Sequence, residues 1–416
     1  MRVLHVIPSV SALRGGPSAA IVELVRAQRA LGIDASIATT NDDGEGLLQV
    51  DTKAWSVLED VPCRYFDRWS PSIRPLREFA YSNAFRRWIG KHIEDYDLVH
   101  VHAIFSACSS LAMTIARKHN VPYIVRTIGL LDRWSLSQSV LRKSLFLKAL
   151  EHKNLKGAAT IHATSELEAE QILAFDPSLN VEIVPLGITD VLRPSDPTQT
   201  IDTNIDHVLT KSRSQAQIEL KQQLSIDPSC PMLLFLARLH PKKGLERIVS
   251  ALADTASLNT AHLLIAGSGE PQYERSLHHL CEQLGIAERV HFLGFLKEGQ
   301  KRQALLGSDL YVLPSASENF GISVLEALNA GLPSLVSTGV ALHDLVAKES
   351  LGGVIDLDAP STNLGDSITL LLSSPDDLQA MGMKARRYTQ EHYSWTSIAT
   401  ELKTIYARLI GLNKPS

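Results

Sequence analysis

The sequence predicts an α/β protein made of two doubly wound, Rossmann-like domains. Three observations carry that prediction. Short apolar, strand-like runs alternate with helical patterns along the chain, which argues for parallel sheets. The runs form two series, separated by a polar stretch that begins Pro194-Ser-Asp-Pro. The chain has 416 residues, which is large for one core and normal for two.

The first series is Val3–Ile7, Ala35–Thr39, Leu98–His102, Tyr123–Arg126, Thr160–Ala163 and Val181–Val184, and it assigns residues 1–190 to an N-terminal domain. Residues 191–229 read as a connection and elaborated loop, with a polar helical segment near Ser212–Leu224. The second series is Leu233–Ala237, His262–Ala266, Val290–Leu293, Leu310–Leu313 and Ser334–Val336, within a C-terminal domain at 230–394. Trp395, Ile398, Leu402, Ile405 and Leu409 mark one face of a final amphipathic helix, in a segment of about 395–416. No repeat of about 20–50 residues stands out.

Composition narrows the class. Hydrophobic residues make up 44% and charged residues 21%, an ordinary soluble balance. A formal charge of −4 provides no field that would recruit nucleic acid, and no nucleic-acid motif is present. The chain begins at once with a buried strand, Met1-Arg-Val-Leu-His-Val-Ile-Pro8, rather than the apolar core of a signal peptide. No apolar run approaches the ~20 residues of a membrane span. Cys63, Cys108, Cys230 and Cys281 are scattered and read as reduced, packed thiols. A cytoplasmic location is the expectation.

The densest motif is Ser315-Ala-Ser-Glu-Asn-Phe-Gly-Ile-Ser-Val-Leu-Glu-Ala-Leu-Asn-Ala-Gly-Leu-Pro333, with seven residues between Glu318 and Glu326. A strand ends, a polar loop carries Glu318, and a helix opens near Gly321. Its first amides, around Asn319, Phe320, Gly321 and Ile322, suit an anion. One carboxylate on each side of that anion can grip hydroxyls, which is the layout of a nucleotide-sugar. Upstream, Leu234-Phe-Leu-Ala-Arg238-Leu-His-Pro-Lys-Lys243-Gly244 delivers two cations from a strand end, and these suit a leaving diphosphate.

Weaker signals follow the same pattern. Gly15 and Gly16 lie between the first strand and its helix, where backbone can approach a ligand closely. The loop is not G-x-G-x-x-G, and no acid closes the second strand, which counts against a dehydrogenase. Gly267 and Gly269 form another strand–loop–helix passage, and Leu293-Gly294 ends a further strand. His100 and His102 share one face of their strand, and His102 lies nearer its carboxyl end. Arg126 ends the next strand. No dedicated metal constellation is visible.

These motifs, in this order, resemble the retaining glycosyltransferases of family 4, whose two-domain fold is called GT-B. The likeness covers nearly the whole chain and is strongest over 233–336. It implies two Rossmann-like domains facing a central cleft that closes on the donor, with the last helix crossing back to the N-terminal domain. It implies transfer of a hexose-type sugar from a nucleoside-diphosphate sugar to a hydroxyl of a saccharide or lipid-linked acceptor, in polysaccharide or glycoconjugate biosynthesis. The N-terminal domain would bind the acceptor and the C-terminal domain the donor.

Residue by residue, the likeness puts Glu318 on the donor-sugar hydroxyls and Glu326 on the ribose. Arg238 and Lys243 neutralise the diphosphate in place of a metal, and Gly15 and Gly16 lie over it. The Gly267–Gly269 and Leu293–Gly294 loops border the base, which backbone groups read. The catalytic set is then Glu318, Arg238, Lys243 and His102, with no metal and no cofactor beyond the donor. Three positions depart from the pattern: Arg126 stands where a donor-contacting histidine is common, Leu186 replaces an asparagine, and Asp344 is the nearest acid after Pro333.

Two alternatives share the fold: a synthase or phosphorylase acting on a free sugar, and a sugar-nucleotide epimerase. A non-catalytic nucleotide-sugar binding module is a third reading, which the intact charged set opposes. Basic amphipathic segments at Arg133–Gly157 and around Arg86, Arg87, Trp88 and Lys91 suggest weak peripheral attachment to the inner face of an anionic membrane.

Overall fold

The computed structural model describes residues 1–73, 77–131, 150–192, 205–358 and 364–412. It divides into two compact units, Met1–Gly187 with Tyr393–Ser416, and Ile188–His392.

Unit 1 runs β1 (Arg2–Val6), α1 (Gly16–Ala30), β2 (Asp34–Thr40), the hairpin β3 (Asp42–Asp43) and β4 (Gly46–Leu47), β5 (Ser56–Leu58), β6 (Val61–Phe66), α2 (Asn83–His92), β7 (Leu98–His102), α3 (Ala107–Lys118), β8 (Tyr123–Arg126), α4 (His152–Lys156), β9 (Thr160–Ala163), α5 (Glu166–Phe175) and β10 (Val181–Ile183). Its main sheet has the order β10-β9-β8-β7-β1-β2-β6-β5. Every pair is parallel except β5 with β6. The order reverses between β1 and β7, and in such sheets ligands bind outside the carboxyl ends of the strands at the reversal.

Local sequence fixes where these helices begin. Ser82, Ser106 and Ser165 cap α2, α3 and α5, each side chain accepting the amide three residues on. Such caps replace bonds that a helix start otherwise lacks. One face of the sheet packs Val99, Val101, Tyr123 and Val125 against Met113 and Ala116 of α3. The other packs Val3, Leu98 and Ile124 with Ile21, Leu24 and Val25 of α1.

Unit 2 runs α6 (Ile205–Leu224), β11 (Met232–Leu236), α7 (Leu245–Asp254), β12 (His262–Ala266), α8 (Pro271–Gln283), β13 (Val290–Gly294), α9 (Glu298–Gly307), β14 (Leu310–Leu313), α10 (Ile322–Asn329), β15 (Ser334–Ser337), α11 (His343–Lys348), β16 (Gly352–Ile355), α12 (Leu364–Leu372) and α13 (Pro375–His392). All pairs in its sheet, β13-β12-β11-β14-β15-β16, are parallel. The reversal lies between β11 and β14, so the loops after these strands form this unit's crevice.

The segment read as a connection differs from that reading. Its helix, α6, starts at Ile205 and belongs to unit 2. Leu209, Ala216 and Leu220 are buried, and Arg213 donates to the carbonyls of Ser308 and Ala330 at 2.7 and 3.1 Å. Residues 193–204 lie outside the described residues.

The last helix, α14 (Trp395–Leu412), returns to unit 1 and packs against α1. It buries Ile398, Ala399, Leu402, Tyr406 and Leu409. The aromatic ring of Trp395 lies against Gly187, where a side chain would collide with it.

Candidate active site

In unit 2 three loops meet at the carboxyl edge. After β11, His240 caps a 3-10 turn, Pro241–Lys243, by accepting the Lys242 amide. That turn is tied to the loop after β14, because the Lys242 carbonyl accepts the Ala316 amide at 2.8 Å and the Ser315 hydroxyl at 3.1 Å. Gly244 makes the approach possible. Its φ is +71°, and a Cβ there would collide with the Pro314 carbonyl. Gly267, with φ +140°, allows the loop after β12 to pack equally closely on the Ala237 carbonyl. Leu239 and Gly269 bridge the same two loops.

This packing brings Lys243 and Glu318 into direct contact as a salt bridge. Lys243 is only 6% exposed. Burial, then the Lys242 and Arg238 cations, press its amine down to about 7. The contact with Glu318 opposes that pressure and favours the charged form. Glu318 is held in turn by backbone: its amide donates to the Gly339 carbonyl at 2.8 Å, and its carbonyl accepts the Ala341 amide at 3.1 Å. Arg238 is exposed beside this pair.

Helix α10 starts four residues after Glu318. Gly321 precedes it with φ +89°, and no side chain caps it. Asn319, Phe320, Gly321 and Ile322 form the approach, with Phe320 and Gly321 buried. Glu326 lies one turn in and pairs with Lys301 of α9 at 2.9 Å. Burial works against the Lys301 charge, but Glu326 and Glu298 outweigh it and raise its pKa. Unit 2 therefore holds Arg238, Lys243, Gly267, Gly269, Glu318 and the start of α10 along one sheet edge. Beside them, the Gly294 carbonyl accepts the Gly267 amide at 2.8 Å, which fixes the Leu293–Gly294 turn.

Gly15, Gly16, His102 and Arg126 belong to unit 1. Gly15, with φ +77°, precedes α1 without a side-chain cap, and nothing lies within 4 Å of where its Cβ would be. An ion cluster braces this loop. Arg14 reaches Asp42 through two bonds of 2.7 and 2.9 Å, and buried Arg68 pairs with the same carboxylate.

His102 and Arg126, read from the sequence as ligand-facing, require correction: both side chains are buried. Facing positions in parallel strands carry side chains on the same side of the sheet, so His5, His100, His102, Arg126 and His162 share the face covered by α1 and α14. The Val184 carbonyl can only accept, so His162 donates to it from Nε2 at 2.7 Å. For neutral rings the remaining roles then follow in order. His162 Nδ1 accepts from His100 Nε2, and His100 Nδ1 accepts from the Tyr406 hydroxyl. Tyr406 accepts from Gln28, whose carbonyl accepts from His5 Nε2. His5 Nδ1 accepts from His102 Nε2 at 3.0 Å. The chain ends at His102 Nδ1, a buried lone pair without a partner.

His5, His100 and His102 place ring nitrogens within 4.8 Å of one another, as metal ligands do. Every nitrogen of His5 and His100 is already committed to the chain, and Arg126 adds a neighbouring cation. Both features oppose a dication there.

The buried rings make unit 1 acid-labile. Burial chiefly, with the Arg126 cation and neighbouring histidines adding to it, lowers His5 and His162 to about 4 and pushes His100 and His102 well below the usual range. The unfolded chain therefore binds more protons between pH 6.5 and about 4, so stability is full above that window and falls within it. His5 and His162 each contribute about 3 kcal/mol. Chemical denaturation from pH 7.5 to 4.5 should show a steep loss of unit 1 stability. His5→Asn should flatten that slope, and an unchanged slope would count against the assignment.

Sequence reasoning missed Lys301, the Gly339–Ala341 brace and the Gln28–Tyr406 link. The histidine alternation in β7 was visible, but the cross-strand register that joins it to β1 and β9 was not.

Comparison with known proteins agrees with this geometry. The profile described as "Glycosyl transferases group 1" matches residues 216–388, and "Glycosyl transferase 4-like domain" matches 15–187. An uncharacterized glycosyltransferase of Methanocaldococcus jannaschii is 29% identical over 59% of this chain and 63% of its own length. A D-inositol 3-phosphate glycosyltransferase of Segniliparus rotundus is 24% identical over 92% of this chain and 81% of its own. The solved structure of HepE from Anabaena, in complex with UDP and glucose, superposes with a TM-score of 0.72 at 18% identity, covering 98% of this chain and 100% of that one. The chain therefore belongs to the group 1 glycosyltransferases of family 4, and it is a sugar-transferring enzyme of the GT-B fold.

Proposed function

We propose that the enzyme moves a hexose-type sugar from a nucleoside-diphosphate sugar to a hydroxyl of a saccharide or lipid-linked acceptor, with retention of the anomeric configuration. Unit 2 takes the donor and unit 1 the acceptor. The observation that carries this reading is the convergence of Arg238, Lys243, Glu318 and the uncapped start of α10 at the β11–β14 reversal. The UDP and glucose bound by the Anabaena structure support the class of donor.

Chemically, the exposed Arg238 and the buried Lys243 offer fixed positive charge to a departing diphosphate. The amides at the start of α10 add to it. Such preorganised charge is worth most at the moment the leaving group gains charge. Glu318 exchanges its bond to Lys243 for hydroxyls of the donor sugar, and Glu326, steadied by Lys301, takes the ribose. The acceptor proton passes to the leaving phosphate as the glycosidic bond forms on the same face. No side-chain nucleophile and no metal are required.

The test is proton NMR of the product formed from a panel of α-linked nucleotide-sugars with simple glycoside acceptors. The expected result is an α-linked product. A β-linked product, or release of sugar phosphate, would replace this reading with inversion or phosphorolysis.

Exposed Arg86, Arg87 and Lys91 on α2 support weak attachment to an anionic bilayer. Most of the Arg133–Gly157 segment lies outside the described residues. Among the described residues no helix is long and apolar enough to cross a membrane. Sedimentation with vesicles should rise with phosphatidylglycerol content and fall with salt. Equal binding to neutral vesicles would remove the idea.

A further inference from the structure

We infer that the groove between α6 and α9 is a second saccharide-binding site, which holds a stretch of oligosaccharide apart from the residues that carry out transfer. The inference rests on the chain being a sugar-transferring enzyme, whatever its donor and anomeric outcome.

The groove lies wholly within unit 2 and has a volume of about 600 Å³, in the range of ligand pockets rather than of a single ion. Its floor is apolar, formed by Ala216 and Leu306, both buried. Its walls are polar: Ser212, Gln215 and Glu219 from α6, and Gln300, Arg302 and Gln303 from α9. Lys301, the α9 residue that meets Glu326, is not part of the lining.

The polar groups are already oriented, and their chemistry fixes how. A carboxylate only accepts, so Gln215 and Gln303 turn their NH2 groups to Glu219, at 2.6 and 3.4 Å. Their carbonyl oxygens are left as acceptors. A backbone amide only donates, so Gln300 uses its oxygen on the Lys297 amide at 3.2 Å and is left as a donor. Arg302 adds further donors. Its Nε is buried and has no partner among the described residues, and such a group calls for an acceptor.

Donors and acceptors therefore stand together over an apolar floor. A sugar ring matches both features: each hydroxyl donates and accepts, and the ring face presents C–H groups. A fully ionised phosphate only accepts, and it would face the Glu219 carboxylate and two carbonyl oxygens. Lys211 also lines the groove and offers an ammonium donor.

Gly299 keeps the groove open. It lies in the first turn of α9, lines the groove, and has nothing within 4 Å of where its Cβ would be. Glycine weakens a helix, and no packing within the fold requires it here. A large side chain at this position would take up space that the saccharide needs. A site of this kind raises the local concentration of a chain that is being extended, so it favours long acceptors over short ones.

The experiment is isothermal titration of maltohexaose, isomaltohexaose, mannohexaose and chitohexaose into the full chain, and into its Gly299→Leu and Arg302→Ala variants. At least one hexasaccharide should bind wild type with a Kd of about 1 mM or tighter, and bind each variant at least about 10-fold more weakly. Gly299→Leu should melt no lower than wild type, because leucine is the better helix former, so its lost binding is not lost folding. Inorganic phosphate should not displace the saccharide. The inference is overturned if no hexasaccharide binds wild type, if either variant binds as tightly as wild type, or if phosphate displaces the saccharide. None of these outcomes bears on the donor site, since nucleotide binding is measured separately on the same proteins.

Discussion

Lys243→Ala should lower kcat/KM for sugar transfer at least about 100-fold with little change in melting temperature. The side chain supplies fixed charge from a buried position, so no neighbouring group can swing in to replace it. Its removal also leaves Glu318 without its salt-bridge partner. Glu318→Gln should be nearly as damaging for a related reason. Without the carboxylate, burial and the Lys242 and Arg238 cations act unopposed on an amine already pressed to about 7. The variant should lose its Lys243 charge at a lower pH than wild type, whose amine titrates near 7, so its pH–activity profile should shift to the acid side. Wild-type rates in both variants, or a pH profile unchanged by Glu318→Gln, would detach this pair from the reaction.

Tyr406→Ala should destabilise unit 1 by about 3–5 kcal/mol, the usual cost of deleting a fully buried aromatic ring. The ring is 0% exposed, between α14 and the sheet. Its hydroxyl accepts from Gln28 and donates to His100, so truncation also strands two buried polar groups. Tyr406→Phe keeps the ring and removes only the hydroxyl, and should cost less. Urea denaturation separates the two contributions. Equal stability of wild type and Tyr406→Ala would mean that α14 is not held as described.

Much of this architecture was legible in the sequence. The strands Leu98–His102, Tyr123–Arg126, Thr160–Ala163, His262–Ala266 and Leu310–Leu313 appear with the bounds their apolar runs suggested. The unread elements were the Asp42–Leu47 hairpin, β5, β6 and β16. β3, β4 and β5 have only two or three residues, too few for any periodicity to show. β16 is Gly-Gly-Val-Ile, whose glycines read as a turn, although Gly352 is there because its backbone lies against Ser334.

The candidate site divides the same way. Arg238, Lys243, Glu318 and Glu326 lie within single loop or helix segments, so motif spacing and the family resemblance could nominate them without the fold. Lys301 lies 25 residues from Glu326 and meets it only through the packing of α9. The histidine face was misjudged because a strand's carboxyl end was taken as open, whereas α1 and α14 cover it.

Arg238 and Lys243 are proposed to serve one diphosphate. The direct measurement is isothermal titration of UDP, GDP and ADP into wild type, Arg238→Ala and Lys243→Ala, with the corresponding nucleosides as controls. The diphosphate preferred by the wild type should bind about 30-fold or more weakly to each variant, while nucleoside binding changes little. Diphosphate affinities that match wild type in both variants would contradict it.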